Sequence, residues 1–423
     1  MKLGETINYK SASLFKNKNF LMYWLSYVFS ALGDAIYFFV IPWMIKEITG
    51  SGVMMGMFLL VVGVPRIILM LFGGVVVDRF DGRKIMFISD ISRAMVMLGI
   101  FILMVTNSMN IFFIFALGFV FGVLDAFYWP AVTAIRQRVV SKEYYVRSNS
   151  LLAATWQITA LIGPLTGAFL YHIDKGIICV FVIGIAFIAS ALTLYFVKLR
   201  PIMKEKESRE QKNSIKEDLA FGVKYVLQNH LVFTLIITML FANMSFRMLE
   251  VGLPFLAESL KANEKEFGLM QSALGAGGLV VSFILTFIIM IKNPSPKANM
   301  LAISFQGLGL LLLGLTTNYW QAIAAMSFIG IATAVVSTIG PSIFQKTIPE
   351  EVMGRVSSIN MIVAQGAVPL AQAAGGWFLD TTGPNTLFIT AGIVETLTGL
   401  VALMLPAVYL YNKREKSHTK EVI

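Results

Sequence analysis

Residues 135–167 read IRQRVVSKEYYVRSNSLLAATWQITALIGPLTG, and residues 343–375 read IFQKTIPEEVMGRVSSINMIVAQGAVPLAQAAG. At a constant offset of 208, Ile135, Gln137, Glu143, Arg147, Ser150, Gln157 and Gly167 recur as Ile343, Gln345, Glu351, Arg355, Ser358, Gln365 and Gly375. Both stretches leave a long apolar segment, cross a charged loop and enter the next apolar segment. The chain therefore contains itself twice. In a membrane protein such a repeat gives two halves of like topology, related by an axis along the membrane normal. Carriers that rock one half against the other around a central site are built this way.

Outward from the repeat lie twelve apolar segments, near 20–45, 53–77, 85–106, 110–134, 149–171, 176–198, 231–257, 267–291, 298–316, 319–343, 358–379 and 385–411. They run roughly 19–27 residues, against the ~20 that a bilayer requires. Only a helix satisfies every backbone group of a lone segment in hydrocarbon, so each is predicted helical. Asn107, Ser108 and Met109 separate segments 3 and 4, which makes them a tight hairpin. With both termini in the cytoplasm, 28 of the 34 Lys and Arg fall on that side, Arg93 among them. Lys46, Lys175, Lys261 and Lys265 fall outside, and Arg66 and Arg247 lie within the membrane. That bias follows the positive-inside rule.

Composition narrows the classes. Mean hydropathy is +0.75, with 57% apolar and 14% charged residues. A soluble domain carries about 25% charged residues, so a water-soluble globule is excluded. The net charge of +10 reflects cytoplasmic loops facing anionic lipid, not nucleic-acid binding. Cys179 is the lone cysteine, which rules out a disulfide framework or a Cys-based metal site. His172, His230 and His418 lie at segment ends, so neither metal nor other cofactor is expected. No G-x-x-x-x-G-K-[ST] stretch is present to hold ATP. The first 19 residues are polar and basic (Lys2, Lys10, Lys16, Lys18), and the following run is too long for a signal h-region. Segment 1 is expected to remain in the membrane.

The expected organisation is a six-segment bundle over 1–199, a cytoplasmic linker over 200–229 and a second bundle over 230–423. Arg200–Ser214 reads as flexible and charged. In Ile215–Leu227, apolar Leu219, Val223, Val226 and Leu227 recur at helical spacing among Lys216, Glu217, Asp218 and Lys224. That predicts an amphipathic helix on the inner membrane face.

Between segments 2 and 3 the chain reads Gly74-Val-Val-Val-Asp78-Arg79-Phe-Asp81-Gly82-Arg83-Lys84. A glycine permits close helix approach, an acid at a helix end pairs with basic groups or a helix N-terminus, and the basic residues anchor the loop in the cytoplasm. This stretch resembles the G-x-x-x-D-R-x-G-R-K signature of the major facilitator superfamily, with Asp81 in place of its second glycine. With the twelve segments, long central loop and duplication, the resemblance covers nearly the whole chain. The D-R-x-D variant is similar to the branch of macrolide-efflux and siderophore-export proteins. The resemblance implies a gating role for Gly74, Asp78, Arg79, Arg83 and Lys84. Segment 5 carries Gly163-Pro164-Leu-Thr-Gly167, similar to the superfamily's antiporter motif, with Thr159 where the first glycine belongs. The plain alternative is small-residue packing. The superfamily's usual arginine in helix 4 is absent, with Gly118 at that spacing from Gly122.

An ionisable group at the bilayer centre costs about 2.5–3.5 kcal/mol on insertion scales and so needs a partner or a task. Asp34, Arg66, Asp125, Arg247, Glu250 and Glu395 are the candidates. At ~1.5 Å per residue, Asp34 lies about 21 Å, Arg66 about 16 Å and Asp125 about 15 Å from the inner ends of their segments. Asp34 is predicted to pair with Arg66, with Asp125 competing. Burial favours a neutral carboxyl and a nearby arginine the charged one, so movement of Arg66 would couple Asp34 or Asp125 to protons. A static ion pair holding segments 1, 2 and 4 is the alternative. Arg247 and Glu250, three apart, share a face of segment 7.

The resembled fold lines its substrate cavity with helices 1, 4, 7 and 10, flanked by 2, 5, 8 and 11. Here those helices offer Tyr37, Phe38, Phe127, Tyr128, Trp129, Gln157, Asn243, Phe246, Arg247, Glu250, Gln365 and Gln372. Such a cavity suits a bulky hydrophobic or amphipathic molecule. The expectation is an all-α membrane protein of twelve spanning helices in two six-helix pseudo-symmetric bundles, the major facilitator fold. It would be a monomer among lipids of a bacterial cytoplasmic membrane, exporting drugs or antibiotics against protons. A siderophore exporter or lysophospholipid flippase is the alternative within that class. A receptor or membrane enzyme lies outside it, and an enzyme would need a clustered nucleophile, metal or base at one membrane face.

Overall fold

A computed structural model describes residues 14–141, 144–199, 215–287 and 294–409. These form α1 (Lys18–Thr49), α2 (Gly52–Arg79), α3 (Gly82–Val105), α4 (Ile111–Val139), α5 (Tyr145–Asp174), α6 (Ile177–Tyr195), α7 (Ile215–Gln228), α8 (His230–Phe246), α9 (Met248–Ser259), α10 (Glu264–Phe287), α11 (Pro296–Gly314), α12 (Tyr319–Thr347), α13 (Glu350–Gly366), α14 (Val368–Thr382) and α15 (Pro384–Met404). Among the described residues, twelve spans are long and apolar enough to cross a bilayer. Two of them are interrupted: His230–Ser259 comprises α8 and α9, and Glu351–Thr382 comprises α13 and α14. Pro369 sits in the first turn of α14, where its missing N–H helps end the ladder coming from α13. Large side chains such as Phe112, Phe169, Trp320 and Met404 are exposed, as lipid-facing surfaces require.

Local chemistry sets the ends. Asn107 takes a left-handed φ of 54° in the α3–α4 turn, tightening the expected hairpin. Asp81 caps α3 by accepting from the Arg83 N–H at 3.0 Å. The position that departs from the resembled signature is thus a working N-cap. The Arg83 guanidinium in turn donates to the Val197 carbonyl at 2.8 Å. The amphipathic helix predicted in the linker is α7. It rests on α13, with Gly222 against the Arg355 backbone and the Phe221 ring 4.9 Å from the Arg355 guanidinium. Arg200–Ser214 lies outside the described residues.

The duplication reaches further than the seven identities. Helices α4 and α12 both hold 29 residues and keep the 208 offset at each end. Asn110 and Asn318 cap them identically, each side-chain oxygen accepting an N–H three residues on, from Phe113 and Gln321. The same neighbours recur: α3 packs on α4 and α6, and α11 on α12 and α15. Two compact units result. Among the described residues one holds the chain up to Val40 and from Val64 through α6; the other holds Ile41–Gly63 and everything from α7 on.

Candidate functional site: a buried charge cluster

Four helices of the first unit, α1 to α4, each send ionisable side chains to one place. Arg93 of α3 is fully buried and central. Its Nη1 meets Asp34 of α1 at 3.0 Å and Asp125 of α4 at 3.6 Å, and its Nη2 meets Asp90 at 2.5 Å. Ser30 accepts from Nη2 at 2.9 Å. Asp90 also accepts from Ser190 of α6 at 2.6 Å and from Ser30 at 3.2 Å. The guanidinium carbon lies 4.2 Å from the Tyr128 ring centroid and 4.5 Å from that of Phe187. Arg66 of α2 completes the group, its Nε 2.9 Å from Asp125, whose other oxygen accepts from Trp129 Nε1 at 3.1 Å.

Buried ion pairs offset their desolvation only when hydrogen bonds satisfy the remaining lone pairs and protons. Asp90 meets that condition fully, with two serines and an arginine, and is anchored. Asp34 and Asp125 share one guanidinium at unequal distances. Arg66 differs from the rest: its side chain is 35% accessible against 5% for Asp125. Three carboxyls face two guanidinium groups, so the fully ionised cluster carries one surplus negative charge. One proton on a carboxylate oxygen would cancel that surplus without leaving an arginine unpaired.

The expected pairs are redistributed. Arg66 bonds Asp125 and not Asp34, and the sequence depths explain why: about 16 Å and 15 Å against 21 Å. Arg93, assigned above to the cytoplasmic side, is instead in the core, eleven residues into α3 or about 16 Å. Charge counting along the chain hid it. The signal that finds it is the i,i+3 spacing of Asp90 and Arg93 inside segment 3, which puts opposite charges on one helix face.

In the second unit Arg247, which separates α8 from α9, pairs with Glu250, and Gln372 of α14 donates to Glu250 at 2.6 Å. Gly375 seats α14 on Met248 as its repeat partner Gly167 seats α5 on Phe39. Gly163 abuts Ala35, and Pro164 is buried beside it. The glycines of the antiporter-like stretch thus act as helix contacts here. Tyr37 and Tyr128 are buried, Tyr37 stacked on Phe121 with centroids 4.0 Å apart, and both back the cluster. Phe38, Phe127, Trp129 and Gln157 are half-buried in the first unit, as are Asn243, Phe246 and Gln365 in the second; Gln372 is buried. Lys84 is exposed. The side chains of Asp78 and Arg79, and Gly74, lie outside what is described.

Comparison with known proteins decides the family. The model of the Major Facilitator Superfamily matches residues 23–372 and 240–422. The chain belongs to the major facilitator superfamily. It is similar to macrolide efflux protein A of Streptococcus pyogenes, 22% identical over 396 residues covering 92% of this chain and 95% of that one. It is 25% identical over 422 residues to a Na(+), Li(+), K(+)/H(+) antiporter of Planococcus maritimus, covering 93% of each. The crystal structure of the nucleoside transporter NupG shares the fold, with a TM-score of 0.71 at 13% identity over 92% of this chain and 98% of that chain. This superfamily member is therefore a multi-pass membrane transporter and not an enzyme, from a family that carries small molecules.

Proposed function

We propose that this transporter exports hydrophobic or amphipathic drugs, macrolide-like in size and polarity, in exchange for protons by alternating access. The α1–α4 cluster carries the proposal. One proton on Asp34 or Asp125 cancels its surplus charge. Arg66 is the accessible member, so its departure from Asp125 frees that carboxylate to take the proton. Arg93, held by Asp90, Ser30 and two aromatic rings, stays as the fixed counter-ion. The names of the macrolide efflux and cation/H(+) antiporter relatives support both halves of the reading. Half-buried Phe38 and Phe127 in the first unit, and half-buried Asn243 and Phe246 in the second, are side chains of the apolar and sparsely polar kind that suits such cargo. The protein works as a monomer in a bacterial cytoplasmic membrane with both termini inside.

The test uses purified protein in sealed vesicles under an imposed pH gradient, with a fluorescent amphipathic cation or a macrolide as cargo. Wild-type protein should accumulate cargo against the gradient. Asp34→Asn or Asp125→Asn should abolish gradient-driven transport while leaving downhill exchange. Equal gradient-driven transport by both variants and the wild type would sink the proposal.

A further inference from the structure

The second unit contains a short piece of the chain's beginning, Ile41–Gly63, which joins the last turns of α1 to the first turns of α2. One carboxylate holds it. Asp380, near the end of α14, accepts from the Gly52 N–H, from the Val53 N–H at 3.0 Å and from the Ser51 hydroxyl at 2.8 Å. The first N–H groups of any helix lack partners of their own, and their dipoles favour an anion. Here that anion comes from residue 380, more than three hundred positions away in sequence, and it adds to the local cap in which the Ser51 hydroxyl oxygen accepts from the Met54 N–H at 3.3 Å.

The backbones touch behind it. A methyl group at Gly376 would collide with the Gly52 carbonyl and come within 3.1 Å of the Gly56 Cα, and one at Gly56 would lie 3.0 Å from the Ala373 Cα. The Leu379 side chain covers Gly52 from the same side. Glycines on both helices allow this approach, as in small-xxx-small crossings of membrane helices. Two other contacts reach the same piece. Lys46 meets Glu258 at 3.1 Å, and Trp43 stacks on Phe267 with centroids 4.7 Å apart. Glu258 is 59% accessible, and exposed pairs contribute little, so Lys46–Glu258 is the weaker fastening. Asp380 is exposed as well, but it accepts three hydrogen bonds at once, one of them from the N–H of buried Gly52, where Lys46–Glu258 makes a single contact, so it is the stronger.

We infer that Asp380 is a clasp that shuts the α1–α2 turn onto α14, and that it must let go for this end of the transporter to open. The inference rests on the alternating-access reading only for its role in transport; the clasp itself is a property of the resting protein. With both termini inside, this turn faces the exterior. Aspartate suits the task because it satisfies three donors when engaged and is solvated by water when released. The glycine seam then reseals without a side chain in the way.

Labelling of a buried neighbour reads the clasp without cargo or a pH gradient. Leu379→Cys introduces a thiol under the turn, and Leu379 is 3% accessible. Cys179 is buried and gives no background. A membrane-impermeant maleimide should label Leu379→Cys slowly from outside when Asp380 is intact. Adding Asp380→Ala should raise the rate at least tenfold, and Ser51→Ala or Asp380→Asn, which remove less, should raise it several-fold. Size-exclusion profiles confirm folding, and the two milder variants carry the test if Asp380→Ala does not fold. Unchanged labelling in the folded variants overturns the clasp. Faster labelling together with unaltered gradient-driven transport overturns its role in opening, and leaves the proton reading to stand or fall on Asp34 and Asp125.

Discussion

Arg93 is the residue on which the first unit's interior depends. It touches three acids and two aromatic rings with no exposed surface. Removing one partner of a buried ion pair costs about 3–5 kcal/mol, since the other is left uncompensated. Arg93→Leu should therefore lower the melting temperature in detergent steeply, and Arg93→Lys should recover only part, because one ammonium cannot fork between Asp34 and Asp90. Glu395 is the opposite case. It is fully buried in α15, and among the described residues neither carboxyl oxygen has a partner. A buried polar group without a partner costs about 1–3 kcal/mol, so Glu395→Leu should melt higher than the wild type. At this scale the sequence exposes any charge set in a long apolar run: Asp34, Arg66, Asp125 and Glu395 could all be read. It hides charges near a basic loop, as Arg93 stands ten residues after Arg83, and it hides pairing. Arg66 chose Asp125 by depth and helix rotation, and rotation cannot be counted along a chain.

Helices were legible wherever apolar length alone decides, because hydrocarbon admits no other isolated backbone. Their interruptions were not. Pro369 is a visible cause for the break between α13 and α14, but Arg247 separates α8 from α9 with neither proline nor glycine beside it. Caps sit between these extremes. Asn110 and Asn318 stand at matching places in the two halves and accept N–H groups at 3.2 and 3.0 Å. Replacing an N-cap asparagine with alanine costs about 1 kcal/mol. Asn110→Ala and Asn318→Ala should therefore destabilise to a similar, modest degree, measured by urea or sodium dodecyl sulfate unfolding in mixed micelles. Unequal losses would mean that the shared geometry does not bring shared energetics.

The whole molecule is a duplicated frame with unlike contents. The matched bounds of α4 and α12 put Thr333 at the register of Asp125, where it accepts a hydrogen bond from Gln306 at 2.7 Å instead of an arginine. The repeat at 135–167 announced the frame, while the difference in contents follows from single residues that no repeat encodes. Sidedness also belongs to this scale. With Arg93 moved to the core, 27 of the 34 basic residues remain assigned to the cytoplasm, and cysteines replacing Ser108 or Thr317 should react with an impermeant reagent on intact cells. One replacing Lys346 should react only after permeabilisation. The reverse pattern would invert the topology.

The three-to-two count of acids over bases in the α1–α4 cluster has an electrical consequence. A voltage pulls on a group of charges only when they do not cancel. Arg247 and Glu250 cancel and feel at most a twist. The surplus anion among α1–α4 feels a net force worth up to ~2.3 kcal/mol per 100 mV if it crossed the full drop. Polarising the membrane thus tugs on the fully ionised cluster of one half and not on the ion pair of the other, and under the proposed exchange the proton taken up switches that tug off.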